Sequence, residues 1–95
     1  MYLIKNIPPD WTYDPRSKSI HRKFVFEGFD DAFAFMSNMA SFSTKHDHHP
    51  HWENVYNILS ISLTTHDQDA VTERDIQWAT EANRLFQLIN PPTST

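Results

Sequence analysis

The sequence contains no cysteine among its 95 residues, which excludes disulfide bonds, thiolate metal sites and thiol nucleophiles. No apolar run approaches the ~20 residues that a membrane-spanning helix needs. The N-terminal stretch MYLIKNIPPDW lacks the basic region and the long apolar segment of a secretory signal. No run of basic residues offsets the formal net charge of -4, so a nucleic-acid backbone is not the expected partner. These absences predict a cytoplasmic protein.

Glycine is almost as scarce, since Gly28 is the only one, whereas aromatic residues make up 14% of the chain. This composition is typical of a packed globular domain rather than of a disordered chain. The length suffices for a single domain, 1–95, with a core of modest size. A subunit this small often gains stability from an oligomer, so we expect an exposed apolar edge.

The first 26 residues predict an arm and two strands. We expect 1–10 to be extended, because Pro8 and Pro9 cannot lie inside a helix or a strand ladder. A first strand is predicted to begin at 11–13. A second is predicted at 20–26, where apolar and polar residues alternate as in a half-buried antiparallel strand.

A helix is predicted directly after Gly28, with Asp30 or Asp31 as its N-cap and as the complement of its dipole. Its apolar side is expected to pack on the sheet. That side consists of residues at helical spacing: Phe29, Ala32, Phe33, Met36 and either Met39 or Ala40. Beyond Ser41 the chain becomes polar and leads into a cluster of histidines.

The second half repeats the pattern, with strands predicted at 52–56 and 58–65 around a turn at Asn57. A loop follows, and then 72–75, TERD, matches a helix capping pattern. The helix after it has an apolar stripe at Ile76, Ala79, Asn83, Phe86 and Ile89, and two prolines end it before a frayed tail, 91–95. The order predicts an α+β, two-layer fold: a four-stranded antiparallel sheet with helices on one face, β-β-α-β-β-α.

Five of the six histidines lie between positions 46 and 66: His46, His48, His49, His51 and His66. Imidazole is the side chain whose unperturbed pKa, about 6.5, allows proton transfer near neutrality. His48 and His49 point to opposite sides of an extended chain, and Pro50 favours that extended geometry. His66 directly follows the strand predicted at 58–65. Pairing of that strand with the preceding one can place His66 beside the loop that holds His48 and His49. The pattern therefore predicts a proton-transfer site.

Asp75 lies in the first turn of the second predicted helix. It has two candidate roles: it can orient an imidazole, or it can simply cap the helix by bonding to Thr72. The sequence leaves both open.

The histidine tract also raises the possibility of a zinc, copper or nickel site, because imidazole binds all three metals. Structural zinc sites usually include cysteine, which is absent, and the spacing HxHHxH fits no helical or hairpin zinc knuckle. We therefore expect a proton-transfer site and no metal site, and keep as a further alternative a histidine-rich metal-binding protein, which would bind zinc or copper stoichiometrically.

Three motifs in this order carry a resemblance to a known family: DHHPHWENVYN from Asp47, LTTHD, and TERD. Together they closely resemble the signature of the pterin-4a-carbinolamine dehydratases. The strand with alternating phenylalanines and the segment DDAFAFMSNMA are similar to that family as well. The resemblance covers roughly 11–89.

The resemblance implies the α+β fold expected above, assembled as a homodimer or homotetramer, and no metal or organic cofactor. It implies the dehydration of 4a-hydroxytetrahydropterin to quinonoid dihydropterin, which restores the cofactor of aromatic amino-acid hydroxylases, so a hydroxylase is a possible pathway partner. It also implies an alternative. Animal members double as a dimerisation cofactor for a homeodomain transcription factor, so a member with a weakened site could act through protein binding alone.

Site residues follow from the same motifs. The resemblance implies catalytic roles for His48, His49, His66 and Asp75, and substrate contacts for Asp47, His48, His49, Trp52, Thr64, Thr65, His66 and Asp67. His48 and His66 would act as general acids or bases, His49 would chiefly position the pterin, and Asp75 would steady the arrangement.

The chain departs from the family pattern at three places. Thr44 replaces a frequent glutamate at the rim of the site. Ala70 replaces a glycine, so a left-handed turn there would be either strained or rebuilt. The N-terminal helix of the family is expected to be missing or shortened, because 1–10 with its two prolines leaves little room for it.

Overall fold

The computed structural model describes residues 6–89. The tail 91–95, the prolines expected to end the last helix and half of the expected arm lie outside these residues. So does any helix formed by the first five residues. The described part of the arm is not fully extended, because it turns at Pro9 and Asp10, and the Trp11 amide donates to the Pro8 carbonyl at 3.3 Å.

The described chain folds as two β-β-α units, which confirms the predicted α+β order. The elements are β1 (Thr12–Asp14), β2 (Ser19–Val25), α1 (Phe29–His46), β3 (His51–Val55), β4 (Ile58–Leu63) and α2 (Glu73–Ile89), with a 3₁₀ turn at His66–Gln68. The strands form one antiparallel sheet in the order β1-β2-β4-β3.

One face of the sheet is apolar because side chains alternate along β2 and β4. Ile20 pairs with Leu63, and Phe24 pairs with Leu59. All four side chains are fully buried, in a core shared with residues of both helices. The other face remains open and polar, with Ser60 and Ser62 of β4 on it. Arg22 lies on the core side, with its guanidinium 4.2 Å from the Phe24 ring centroid. Burial lowers the pKa of this guanidinium.

The predicted apolar stripe of α1 is wrong in part. Phe29 and Phe33 stack on each other at 5.9 Å on the exposed side of the helix. The buried side instead carries Ala32, Phe35, Met39 and Ser43. Phe35 decides this rotation, because its ring packs against Phe24 and Phe26 of the sheet.

The N-terminal end of α1 also differs from expectation. Gly28 is the N-cap and no side chain caps the helix, so Asp30 and Asp31 complement the dipole from inside the first turn. At the other end, the polar stretch after Ser41 stays helical through His46.

Trp78 joins the two helices inside the core. Its indole N–H donates to the Ser43 hydroxyl at 2.9 Å, and that hydroxyl donates to the Met39 carbonyl at 2.7 Å. Trp78 and Ser43 are both buried. The polar atoms of both side chains have hydrogen-bond partners, as a stable core requires. This contact holds the last turns of α1 beside the first turns of α2. In the described residues, no helix is long and apolar enough to cross a membrane.

Candidate active site

Four segments meet around one open cavity of about 470 Å³. They are the end of α1, the start of β3, the end of β4 and the first turn of α2. The cavity is lined by Asp47, His48, His49, Pro50, His51, Thr64, Thr65, His66, Asp67 and Arg74. The structure thus brings together the two histidine motifs that are 18 positions apart in the chain.

The end of α1 directs His48 into this site. Asp47 adopts the left-handed conformation, with φ 50° and ψ 47°. Its amide donates to the Thr44 carbonyl at 3.3 Å, and the His48 amide donates to the Ser43 carbonyl at 3.1 Å. These two bonds form the Schellman pattern that ends many helices. The chain therefore reverses at a defined residue, and His48 is the first side chain after the turn.

The left-handed conformation of Asp47 leads to a prediction about the free energy of unfolding. Asp47→Gly is expected to raise the free energy of unfolding by up to about 1 kcal/mol, because glycine adopts this conformation without steric cost. Asp47→Ala is expected to lower it by about 1 kcal/mol. Urea unfolding followed by circular dichroism measures both. Asp69, also left-handed at φ 52°, provides the matched pair of control variants, and an alanine variant more stable than the glycine variant at Asp47 would contradict the assignment.

His48 and Asp75 form a buried pair. The Nε2 atom of His48 lies 2.6 Å from Oδ1 of Asp75. The Asp75 side chain is fully buried, and the His48 side chain is 9% exposed. An ionised carboxylate only accepts hydrogen bonds, so Nε2 carries a hydrogen. Among the described residues, Nδ1 of His48 has no hydrogen-bond partner. Every fully buried side-chain nitrogen of these residues has such a partner. Nδ1 therefore reaches solvent.

Asp75 also caps α2. Its Oδ2 atom accepts from the Thr72 amide at 2.9 Å, while the Arg74 amide donates to the Thr72 hydroxyl at 3.3 Å. This is the reciprocal capping pattern predicted from the sequence. The two candidate roles of Asp75 are therefore compatible in the structure, because Oδ1 orients His48 and Oδ2 caps the helix.

His49 and His66 are exposed at the cavity, unlike His48. His66 begins the 3₁₀ turn after β4. The left-handed residue of this turn is Asp69, whereas Ala70 forms a β-bridge with Thr65. Ala70 is therefore free of the strain expected from the missing glycine. The Lys18 ammonium lies 3.0 Å from the Asp69 carboxylate and so links this turn to the β1–β2 connection. The contact raises the pKa of Lys18.

Two of the predicted site residues lie behind or beside the cavity rather than in its lining. Asp75 is behind His48, as described. Trp52 packs on Trp78, with ring centroids 6.1 Å apart, and is absent from the lining. Thr44 also lies outside it, on the exposed side of α1.

Arg74 is a lining residue that the sequence analysis did not single out. It is half-exposed and lies 3.7 Å from Asp67, across the mouth of the cavity. Its position follows from the capping motif TERD, because Asp75 must point inward and its neighbour on the helix then reaches the rim. Within residues 6–89, no group of three or more histidine and carboxylate side chains is arranged to hold a metal ion.

Comparison with known proteins places this geometry in a family. The family model described as pterin 4 alpha carbinolamine dehydratase matches residues 2–85. A protein of Rhizorhabdus wittichii with a provisional name of pterin-4-alpha-carbinolamine dehydratase is 49% identical over 79 residues, 83% of this chain and 81% of that protein. A Prochlorococcus marinus protein with the same provisional name is 47% identical, over 90% of this chain and 85% of its own.

Two solved structures share the fold. A transcriptional coactivator/pterin dehydratase from Brucella melitensis has a TM-score of 0.79 and 39% identity, covering 81% of this chain and 82% of its own. A pterin dehydratase-like protein identified as a RuBisCO assembly factor in the alpha-carboxysome has a TM-score of 0.71 and 18% identity, covering 81% of this chain and 89% of its own. The second likeness shows the fold alone.

Proposed function

This chain belongs to the pterin-4a-carbinolamine dehydratase family, and on that premise we propose that it dehydrates a 4a-hydroxytetrahydropterin to the quinonoid dihydropterin and water. The observation that carries the proposal is the pairing of His48 with buried Asp75 at a cavity that His66 also lines. The cavity volume, about 470 Å³, lies in the range of small-molecule sites.

The chemistry needs two proton transfers. The 4a-hydroxyl leaves as water after it takes a proton, and the ring loses a proton at N5, so the reaction is proton-neutral. Imidazoles suit both transfers, each contributing typically ~10²–10⁴-fold. His48 has Nε2–H held by Asp75, which leaves Nδ1 to exchange a proton with the substrate. His66 serves the second transfer.

The remaining lining residues bind the substrate. His49 positions the pterin, and Asp47, Thr64 and Asp67 offer polar contacts at the rim. A flat bicyclic ring would enter through the open side of the cavity. The mechanism uses no metal or organic cofactor, as the family resemblance implies. A cytoplasmic location stays a prediction.

A second candidate function is protein binding in place of catalysis. It is favoured by the stacked, exposed pair Phe29 and Phe33 on α1, which is apolar surface that a partner would cover. The Brucella melitensis neighbour carries a coactivator name beside its dehydratase name. The same surface suits the homodimer or homotetramer expected for the enzyme, and light scattering on the purified protein distinguishes a monomer from either.

The decisive experiment is spectroscopic measurement of carbinolamine dehydration by the purified, metal-stripped protein, beside the double variant His48→Ala/His66→Ala. We expect turnover in the wild type that falls to the uncatalysed rate in the double variant, because both proton-transfer groups are lost. A folded wild-type protein without turnover would overturn the enzymatic proposal and favour protein binding.

A further inference from the structure

Two threonine hydroxyls lie behind the His48–Asp75 pair. The Thr65 hydroxyl donates to Oδ2 of Asp75 at 2.8 Å, and it lies 2.6 Å from the Thr72 hydroxyl. The Arg74 amide donates to the Thr72 oxygen. Since Thr65 uses its hydrogen on Asp75, the Thr72 hydroxyl must donate to Thr65. The bonds therefore run in one direction, from α2 through Thr72 and Thr65 to the carboxylate.

This chain of hydroxyls orients the Asp75 carboxylate. A carboxylate rotates easily about its terminal bond, because that torsion has a broad minimum. Two donors on Oδ2, the Thr65 hydroxyl and the Thr72 amide, hold the carboxylate plane in one orientation. Oδ1 is then aimed at Nε2 of His48. Outer partners of this kind commonly set the tautomer and orientation of a functional imidazole.

The Thr65 hydroxyl is not available to a substrate. The residue is 1% exposed, and its single hydrogen is committed to Asp75. Its border with the cavity therefore comes from its other atoms. The family motif LTTHD implies substrate contact at this position. Because the hydroxyl binds Asp75, only the other atoms of Thr65 are available for such a contact.

We propose that Thr65 and Thr72 are positioning residues that fix the Asp75 carboxylate and, through it, the Nε2–H tautomer of His48. The inference rests on the proposed dehydratase function. It predicts that loss of either hydroxyl impairs proton transfer without weakening substrate binding.

Thr65→Val is the main test, because valine keeps the shape and removes only the hydroxyl. We expect kcat to fall about 10-fold, in the range seen when outer partners are removed, with KM within about twofold of the wild type. We expect Thr65→Ser to restore kcat. Thr12→Val, which removes an exposed hydroxyl from β1, is the matched control and should leave both constants unchanged.

A second readout needs no substrate. Long-range ¹H–¹⁵N spectra of histidine-labelled protein report which imidazole nitrogen carries hydrogen. We expect His48 to be in the Nε2–H form in the wild type and in Thr65→Ser, and to show a mixed tautomer in Thr65→Val. If Thr65→Val fails to fold, Thr72→Gly serves instead, since glycine is accepted at an N-cap and removes the hydroxyl at the other end of the chain of bonds.

The outcomes separate the two proposals. A raised KM with unchanged kcat in Thr65→Val would show substrate contact and overturn the positioning role, as would equal losses in Thr65→Val and Thr65→Ser. A wild-type protein without turnover overturns the dehydratase function instead. In that case the tautomer spectra decide the positioning role alone, and an unchanged His48 tautomer in Thr65→Val and Thr72→Gly overturns it.

Discussion

Asp75→Asn is expected to lower turnover at least about 100-fold, through loss of a proton transfer, and to lower the free energy of unfolding by about 3 kcal/mol. Three donors converge on the carboxylate: Nε2–H of His48, the Thr65 hydroxyl and the Thr72 amide. Asparagine offers one oxygen in place of two. If that oxygen faces Thr65 and Thr72, the amide NH₂ faces His48 and forces its ring into the opposite tautomer. If the oxygen faces His48, the NH₂ group faces the Thr72 amide, and two hydrogen-bond donors then oppose each other.

Either orientation has a measurable cost, because a buried polar group without a partner costs about 1–3 kcal/mol. Urea unfolding gives the stability and carbinolamine dehydration gives the turnover. Asp30→Asn is the matched control, since Asp30 is an exposed acid in the first turn of α1, and its loss should cost about 0.3–1 kcal/mol with turnover unchanged. Wild-type turnover and stability in Asp75→Asn would contradict the role of Asp75 in both capping and catalysis.

The sequence predicted Asp75 well but could not choose between its two roles. The motif TERD identifies a helix start from residues three positions apart, so local chemistry suffices. The contact with His48 spans 27 positions and depends on how α1 and α2 pack. The resemblance to the family implied only that Asp75 would steady the arrangement, and it is the structure that identifies His48 as its partner, 2.6 Å away.

Two features that the sequence alone did not determine have the same physical origin. The apolar side of α1 was assigned to Phe29 and Phe33, yet the helix also carries Phe35, and periodicity alone does not choose between overlapping stripes. Packing against Phe24 chooses Phe35. Likewise the left-handed residue after His66 is Asp69 instead of its neighbour, because the β-bridge between Thr65 and Ala70 determines the register of the turn. Both outcomes depend on contacts distant in the sequence.

The two histidines proposed as catalytic, His48 and His66, differ in burial, and this predicts an asymmetry between their variants. His48→Ala should reduce turnover about 10²–10⁴-fold and also destabilise the fold by about 3–5 kcal/mol, because it leaves the Asp75 charge buried without its partner. His66→Ala should reduce turnover to a similar extent while changing stability by no more than about 0.5 kcal/mol, since His66 is exposed. Parallel turnover and urea unfolding measurements test both.

His46→Ala is the matched control for both variants. His46 belongs to the same histidine tract but stacks on Phe42, with ring centroids 4.1 Å apart, and lies outside the cavity lining. Turnover should be unchanged, which would show that position in the cavity, rather than histidine content, determines activity. Equal stability losses in His48→Ala and His66→Ala would contradict the buried pair.

Substrate stereochemistry provides the stricter test of the two histidines. If a flat pterin binds between His48 and His66, each face of C4a meets a different imidazole, and each 4a-hydroxy epimer should then depend mainly on one of them. We therefore expect His48→Ala and His66→Ala to slow opposite epimers more strongly. Stopped-flow measurement with each epimer checks this. Equal losses for both epimers in both variants would contradict the assignment of one imidazole to each face, and every turnover would then need both histidines whichever epimer is bound.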